Sequence, residues 1–405
     1  MKTILILPDG MADEPIPQLG GKTPLQAAKT PAMDTIAREG RCGTLRTLPE
    51  GFPTSSDVAN MSVIGCDLKT EYCGRGVLEA NSKGIPLTPD DIAFRINLCS
   101  VDEEGRLADF SGGHPSQEDA VALIEELNEQ LASEKVHFYP GVSYRNIMVL
   151  HGPGFSADIH CQKPDDNSGN PVAEHLPDLP ESAANDPAAK ATLAFVLDII
   201  ARAAEVLEHS KRAQERPVPV NAIWPWSPGR AGAIRSLQTL RGITGAVISA
   251  VDVINGLGRS IGMDVISVPG ATGYIDTNYE GKAAAALEAI RTHDFVYVHV
   301  EATDEVSHAR DLPLKIKVIE DVDSRLVAPI LAGAPDDCRI VLLPDHPVPI
   351  SIGKHTRTPV PVAVRTPGLE PDAVQVYDEI EAPKGSLGNF KDAGLMDFLF
   401  PPVAR

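Results

Sequence analysis

The chain has 405 residues, 43% of them hydrophobic and 23% charged, which excludes disorder, a collagen-like rod or a coiled coil as a description of the whole. Fifty-six acidic residues against thirty-six basic ones leave a formal charge of −20, and so acidic a surface repels nucleic acid and anionic membranes. At ~100–200 residues per domain, the length predicts two or three domains.

The first apolar run, Thr3–Leu7, is short and aliphatic and predicts a strand buried on both faces. It stops at Pro8-Asp9, short of the ~7–15 apolar residues of a signal peptide. No apolar run approaches the ~20 residues of a membrane span. Cys42, Cys66, Cys73, Cys99, Cys161 and Cys338 form no C-x-x-C pair, so neither a zinc knuckle nor a disulfide framework is indicated. The expectation is a soluble cytoplasmic protein.

Next comes a helical pattern over Ala32–Glu39, then Pro53-Thr54-Ser55-Ser56-Asp57 ahead of a helix over Val58–Ile64 that Gly65 ends. Ser56 and Asp57 then sit at that helix's N-terminus. They suit an N-cap, and equally a phosphate held at Ser56 against free backbone N–H groups.

From about residue 85 to 240 the pattern changes. A strand (Ala93–Cys99), an acidic helix (Ser116–Ser133) and an apolar segment (Ile147–Leu150) precede a Pro/Asp/Asn/Gly-rich stretch, Lys163–Asp186, which reads as a long loop or arm. A helix over Pro187–Lys211 follows, and the Pro-rich Arg216–Gly229 reads as a connection back. Within it, Trp224-Pro225-Trp226 suggests packing at a domain junction.

The remainder again alternates strand with helix: strands at Gly245–Val251, Phe295–Val300 and Arg339–Leu343, helices at Val251–Ile261, Gly281–Thr292 and Leu314–Leu331. Such alternation marks an α/β fold with a mostly parallel sheet. Residues 1–84 and 241–405 are therefore expected to form one domain, with 85–240 inserted into it.

The chemistry lies where strands stop. One ends at Pro8-Asp9-Gly10. Another ends at His299-Val300-Glu301, with Asp304 and His308 beyond. A third ends at Pro344-Asp345-His346, with His355 nine residues on. Ligands in open α/β sheets bind beyond the carboxyl ends of strands, so three carboxylates and three histidines converge on one edge. Any one of them alone suits a turn or cap. Jointly they form an oxygen and imidazole set suited to Mn²⁺, Zn²⁺, Co²⁺ or Mg²⁺ rather than Ca²⁺. With Ser56 as a seventh ligand and nucleophile, the set is too large for one ion and implies two, ~4 Å apart.

With those residues assembled, the chain resembles, essentially end to end, the archaeal-type cofactor-independent phosphoglycerate mutases of the alkaline phosphatase superfamily. The specific strings are Pro8-Asp9-Gly10-Met11-Ala12-Asp13, Gly20-Gly21-Lys22-Thr23-Pro24-Leu25, Ser56-Asp57-Val58-Ala59-Asn60, Gly74-Arg75-Gly76, Pro269-Gly270-Ala271-Thr272-Gly273 and the span from Asp304 to His308. The resemblance implies an alkaline-phosphatase-like sheet flanked by helices, with the insertion as a smaller α/β or α+β lid. It implies that Asp9, Ser56, Asp345 and His346 hold one divalent ion and Asp304, His308 and His355 the other, Mn²⁺ first among the candidates, with no 2,3-bisphosphoglycerate. Ser56 would take the phosphoryl group of 3-phosphoglycerate and return it to the 2-hydroxyl. Arg75, Arg95 and Arg145 are the candidates to grip phosphate and carboxylate.

Three departures bear on the substrate. Pro344-Asp345-His346-Pro347 replaces the Gly-Asp-His-Ser of many archaeal members, and Gly112-Gly113-His114 stands where they tend to have an arginine, which makes His114 a further substrate-binding candidate. Both variants resemble a bacterial subgroup labelled proposed homoserine kinases, although Pro164-Asp165-Asp166 differs from that subgroup's Pro-His-Asp. A small-alcohol kinase, a metal-dependent phosphatase or phosphodiesterase, and a non-catalytic phospholigand sensor are the alternatives. Against the kinase, no G-x-x-x-x-G-K-[ST] loop occurs.

Overall fold

The computed structural model describes residues 1–232 and 234–403. The chain divides into two compact units, Met1–Tyr72 with Arg235–Arg405, and Cys73–Ile234.

The first unit is built on an eight-stranded sheet in the order Gly388–Lys391, Arg41–Arg46, Val360–Arg365, Arg339–Leu342, Thr3–Pro8, Phe295–Val300, Gly245–Ile248, Asp264–Val265. Only Val360–Arg365 runs antiparallel to its neighbours. The class is the α/β one expected. The four strands read from apolar runs are all present, and Thr3–Pro8, Phe295–Val300 and Arg339–Leu342 are buried along their whole length. Their aliphatic side chains pack with helices such as Pro31–Arg38 and Tyr279–Ala289 in one core.

Two elements differ from expectation here. The strand from Gly245 stops at Ile248, because Ser249 turns the chain and its hydroxyl accepts from Val251 N (3.0 Å). The single helix expected over Leu314–Leu331 is Leu312–Val322, a π turn at Asp323–Val327, and Ala328–Gly333. The Asp323 carboxylate accepts from Ala32 N and Met33 N, so it supplies the cap that the helix Pro31–Arg38 lacks from its own N-cap residue.

One buried ion pair ties two loops of this unit together. Lys315 Nζ lies 2.8 Å from Asp13 Oδ2 and donates to Val348 O (3.0 Å), and Asp13 in turn accepts from Ile350 N (3.1 Å). Neither side chain reaches solvent appreciably. Removing one partner of such a pair strands the other charge, at a cost of about 3–5 kcal/mol. Lys315→Met is therefore expected to lower the melting temperature markedly. Adding Asp13→Leu should recover part of that loss. Thermal unfolding of the single and double variants checks this.

In the second unit, strand Ile92–Val101 pairs antiparallel with Arg145–Leu150 and with Ala222–Arg230, and further strands are Leu107–Asp109 and Val136–Val142. Helices Gln117–Leu131 and Pro187–His209 cover one face. The insertion is larger at its N-terminal side than expected. Helix Gly74–Ser82 belongs to it, packed so closely on the sheet that a Cβ at Gly76 would lie 2.3 Å from Ala93 O. Lys163–Asp186 contains three 3-10 turns, at Asp165–Asn167, Val172–Glu174 and Glu181–Ala183.

The Pro-rich connection expected at Arg216–Gly229 is instead largely the strand Ala222–Arg230. It pairs with one neighbour only, among the described residues, so Pro225 and Pro228 interrupt no second ladder. Trp224 and Trp226 pack inside this unit, against Cys99 and Leu107, and each indole N–H is satisfied there, by Gln162 O and Asn97 Oδ1.

Candidate metal and phosphate site

Strand Thr3–Pro8 lies between Arg339–Leu342 and Phe295–Val300 and is parallel to both. Their carboxyl ends therefore share one edge, and the residues beyond them meet. The ends are also stitched together. Gly10 N donates to Asp345 Oδ1 (3.1 Å), Asp9 N donates to Val300 O (2.8 Å), and the Thr303 hydroxyl donates to Asp9 O. Gly10 has φ +63°, and a Cβ there would lie 2.7 Å from Asp304 Cα, so this turn admits only glycine without displacement.

Asp304 and His308 stand four residues apart on the helix Ala302–His308, which places them on one face. His308 Nε2 is 3.3 Å from Asp304 Oδ2, and His355 Nε2 is 3.4 Å from Asp304 Oδ1. The two imidazole Nε2 atoms are 2.9 Å apart. Asp304 also groups with Asp9 and His346, so it belongs to both halves of the cluster rather than to one. His346 Nε2 is 3.4 Å from Asp9 Oδ1, 3.3 Å from Asp345 Oδ2 and 3.2 Å from Ser56 Oγ. Ser56 opens the helix Ser56–Ile64, which Gly65 ends in the left-handed conformation. Asp9, Ser56, Asp304, His308, Asp345, His346 and His355 are thus one cluster.

Sequence reasoning left the supports of this cluster unassigned. His299 Nε2 is 2.9 Å from Asp9 Oδ2, and its Nδ1 is 3.1 Å from Ser249 Oγ. Asn60 donates to Asp345 Oδ2 (2.9 Å) and accepts from Tyr297 OH. Glu301 joins Asp9 and His299 in a third group of metal-type ligands. Lys282, fully buried, donates to His299 O (2.9 Å). A polar side chain inside an apolar segment was the available signal: Tyr297 and His299 alternate with Val296, Val298 and Val300, and Asn60 lies one turn after Ser56.

The electrostatics of the cluster call for added positive charge. Burial, then the charges of Asp345, Glu301 and Asp304, push Asp9 well above the usual carboxylate range. Burial lifts Asp345 to about 6 and, with Asp304 beside it, Glu301 to about 8. Burial acts against the Asp304 carboxylate too, but the imidazoles of His308 and His355 facing it outweigh that and hold the group ionised. Asp9 Oδ1, Glu301 Oε2 and Asp304 Oδ1 are buried without a hydrogen-bond partner. Orphaned carboxylate oxygens beside facing imidazoles fit divalent cations with oxygen and nitrogen ligands. A separate cavity of about 650 Å³ in the same unit, lined in part by Lys69, Arg235, Arg241 and Asp397, contains none of these residues.

The four other candidates lie in the second unit. Arg75 and Arg95 come together over the Trp226 ring, while Arg145 and His114 both lie against the Tyr144 ring. His114 has φ +48°, an uncommon conformation for a side chain of its size.

Comparison with known proteins adds an independent line. Residues 37–212 match the family model described as 2,3-bisphosphoglycerate-independent phosphoglycerate mutase. The enzyme of that name from Methanosarcina acetivorans is 47% identical, over 98% of this chain and 99% of its own. Among solved structures, a Pyrococcus horikoshii protein matches with a TM-score of 0.81 at 27% identity, covering 98% of this chain and 96% of that one. The cofactor-independent phosphoglycerate mutase of Thermoplasma acidophilum matches with a TM-score of 0.70 at 30% identity, covering 98% and 99%.

Proposed function

Because the chain belongs to the 2,3-bisphosphoglycerate-independent phosphoglycerate mutase family, we propose that it interconverts 3-phosphoglycerate and 2-phosphoglycerate through a phosphoserine at Ser56, a step of glycolysis and gluconeogenesis. The observation that carries this reading is the Ser56 hydroxyl at the first turn of a helix, 3.2 Å from His346 Nε2, within a buried cluster of carboxylates and imidazoles.

In this reading Ser56 Oγ loses its proton as it bonds to phosphorus, and the 3-oxygen of the substrate takes up a proton as it leaves. Glycerate stays bound, and its 2-hydroxyl then loses its proton as it bonds to phosphorus, while the Ser56 Oγ–phosphorus bond breaks and Ser56 regains a proton. Asp9, Ser56, Asp345 and His346 would hold one divalent ion, and Asp304, His308 and His355 the other, with Asp304 near enough to serve both. When bound, two such ions, Mn²⁺ in our reading, would favour an ionised serine and offset the charge of the phosphoryl oxygens. His299 and Asn60 would orient Asp9 and Asp345, as outer partners of ligating groups do.

We assign the unit containing Ser56 the catalytic role and the inserted unit the role of a lid. Arg75, Arg95, His114 and Arg145 would bind substrate there, and exclusion of water would favour return of the phosphoryl group to glycerate over hydrolysis. The test is an assay of Mn²⁺-supplied protein with 3-phosphoglycerate alone beside homoserine plus ATP. Formation of 2-phosphoglycerate without nucleotide is expected. ATP-dependent phosphorylation of homoserine alone would overturn the reading.

A further inference from the structure

Strand Phe295–Val300 has two chemically different faces. Val296, Val298 and Val300 enter the hydrophobic core of the first unit, whereas Phe295, Tyr297 and His299 alternate with them. Side chains along a strand point to opposite sides in turn, so the face that sets His299 against Asp9 also carries Tyr297. Tyr297 is fully buried, and a phenol in such a place needs a partner for its hydroxyl. That partner is Asn60, whose Oδ1 accepts from Tyr297 OH.

Asn60 is equally buried and its amide is committed on both sides. Nδ2 donates to Ser56 O (2.8 Å) and to Asp345 Oδ2 (2.9 Å). A carbonyl can only accept, so the amide nitrogen must face Ser56 and the amide oxygen must face the phenol. Ser56 is the residue that carries the candidate nucleophile. Asp345 Oδ2 lies 3.3 Å from His346 Nε2, which is itself 3.2 Å from Ser56 Oγ. One amide thus joins the backbone of the nucleophile to a carboxylate of the same cluster.

The other Asp345 oxygen is held by backbone: Oδ1 accepts from Gly10 N (3.1 Å) and His346 N (2.8 Å). Those bonds tie the carboxylate to its own loop and to the loop after Thr3–Pro8. Asn60 adds the tie to the helix Ser56–Ile64, and Tyr297 carries it on to the strand Phe295–Val300. Without the phenol hydroxyl, Asn60 Oδ1 would be a buried acceptor with no partner. That penalty is relieved when the amide swings away from Ser56 and Asp345.

We propose that Tyr297 is a positioning residue which, through Asn60, holds the Ser56 backbone and the Asp345 carboxylate in place for divalent-ion binding and phosphoryl transfer. This rests on the mutase reading above for the reaction and the ions, while the chain of hydrogen bonds is argued from the first unit alone. Tyr297 touches neither substrate nor ion in this role. It acts by leaving the amide of Asn60 one favourable orientation.

The experiment uses the full chain. In Tyr297→Phe the dissociation constant of one of the two Mn²⁺ ions is expected to rise about 10- to 100-fold, the usual weight of a partner just outside the ligands. It is measured by titrating metal-free protein with Mn²⁺ alone. Turnover of 3-phosphoglycerate should show kcat reduced by a similar factor, with KM changed less. A hydroxyl of merely structural value would lower the melting temperature of the metal-free protein and leave Mn²⁺ binding and kcat as in wild type, and that result would overturn the proposal. Asn60→Leu supplies the second arm. Tyr297→Phe made in the Asn60→Leu background should weaken Mn²⁺ binding no further, because the hydroxyl then has nothing to hold, whereas losses that add would contradict the role. Should Tyr297→Phe fail to fold, this double variant takes its place, since it removes both polar partners and strands neither. Wild-type Mn²⁺ affinity in the double variant would then sink the proposal. Mn²⁺ binding is read without substrate, so the two readings fail separately. Weakened binding in Tyr297→Phe of a protein whose wild type makes no 2-phosphoglycerate would overturn the mutase reading and leave the positioning role standing. Unchanged binding beside normal wild-type turnover would overturn the positioning role alone.

Discussion

Ser56→Ala is expected to abolish phosphoryl transfer, with a loss of turnover of at least ~10⁴-fold, as removal of a covalent nucleophile produces. The side chain is small and partly exposed at the first turn of its helix, and Ser55, not Ser56, occupies the N-cap position. The fold should therefore survive. Metal content should also stay near two ions per chain, since Asp9, Asp345 and His346 remain on one side and Asp304, His308 and His355 on the other. Elemental analysis alongside turnover separates loss of the nucleophile from collapse of the site. Retained mutase activity in Ser56→Ala would sink the covalent mechanism.

Metal removal should be nearly as severe. Treatment with EDTA is expected to inactivate the enzyme by on the order of 10³-fold or more, because metal ions contribute several kcal/mol to such transition states. Mn²⁺ or a similar ion should restore activity. Stability should follow as well. Burial and then the charges of Asp345, Glu301 and Asp304 hold Asp9 well above the usual carboxylate range, and burial and Asp304 raise Asp345, so a chelated sample should melt earlier than a loaded one by mass action. Full turnover in protein shown to contain no divalent metal would refute the two-metal account.

Much of this site was legible because its primary residues follow strand ends. Asp9, Asp345 and His346 follow closely on aliphatic runs, Asp304 sits in the helix just beyond Val300, and parallel strands with adjacent positions must deliver such residues to one edge. Their supports were not legible in the same way. His299 acts on Asp9 across 290 residues, and Asn60 on Asp345 across 285, so nothing local reveals the partner. The prolines of Arg216–Gly229 misled for a physical reason: they signal loops unless the strand lacks a second neighbour, and lateral pairing cannot be read from the segment itself. The extent of the insertion failed likewise, since what attaches Gly74–Ser82 to the inserted sheet is the absence of a side chain at Gly76.

The formal charge of −20 makes the general field of this protein unfavourable to an anionic substrate. Two divalent ions in the carboxylate cluster would reverse that field locally. Binding should therefore depend on local charge and weaken when the ions are removed.

The most direct test of the central claim is a phosphoenzyme trap. Metal-loaded protein is mixed with 3-phosphoglycerate, without nucleotide or 2,3-bisphosphoglycerate, quenched in acid during turnover and digested for peptide mass analysis. The account predicts one phosphoryl group on Ser56, lost when the phosphoglycerates are removed before the quench and never formed in Ser56→Ala. Production of 2-phosphoglycerate with Ser56 unmodified throughout, and undiminished in Ser56→Ala, would contradict it.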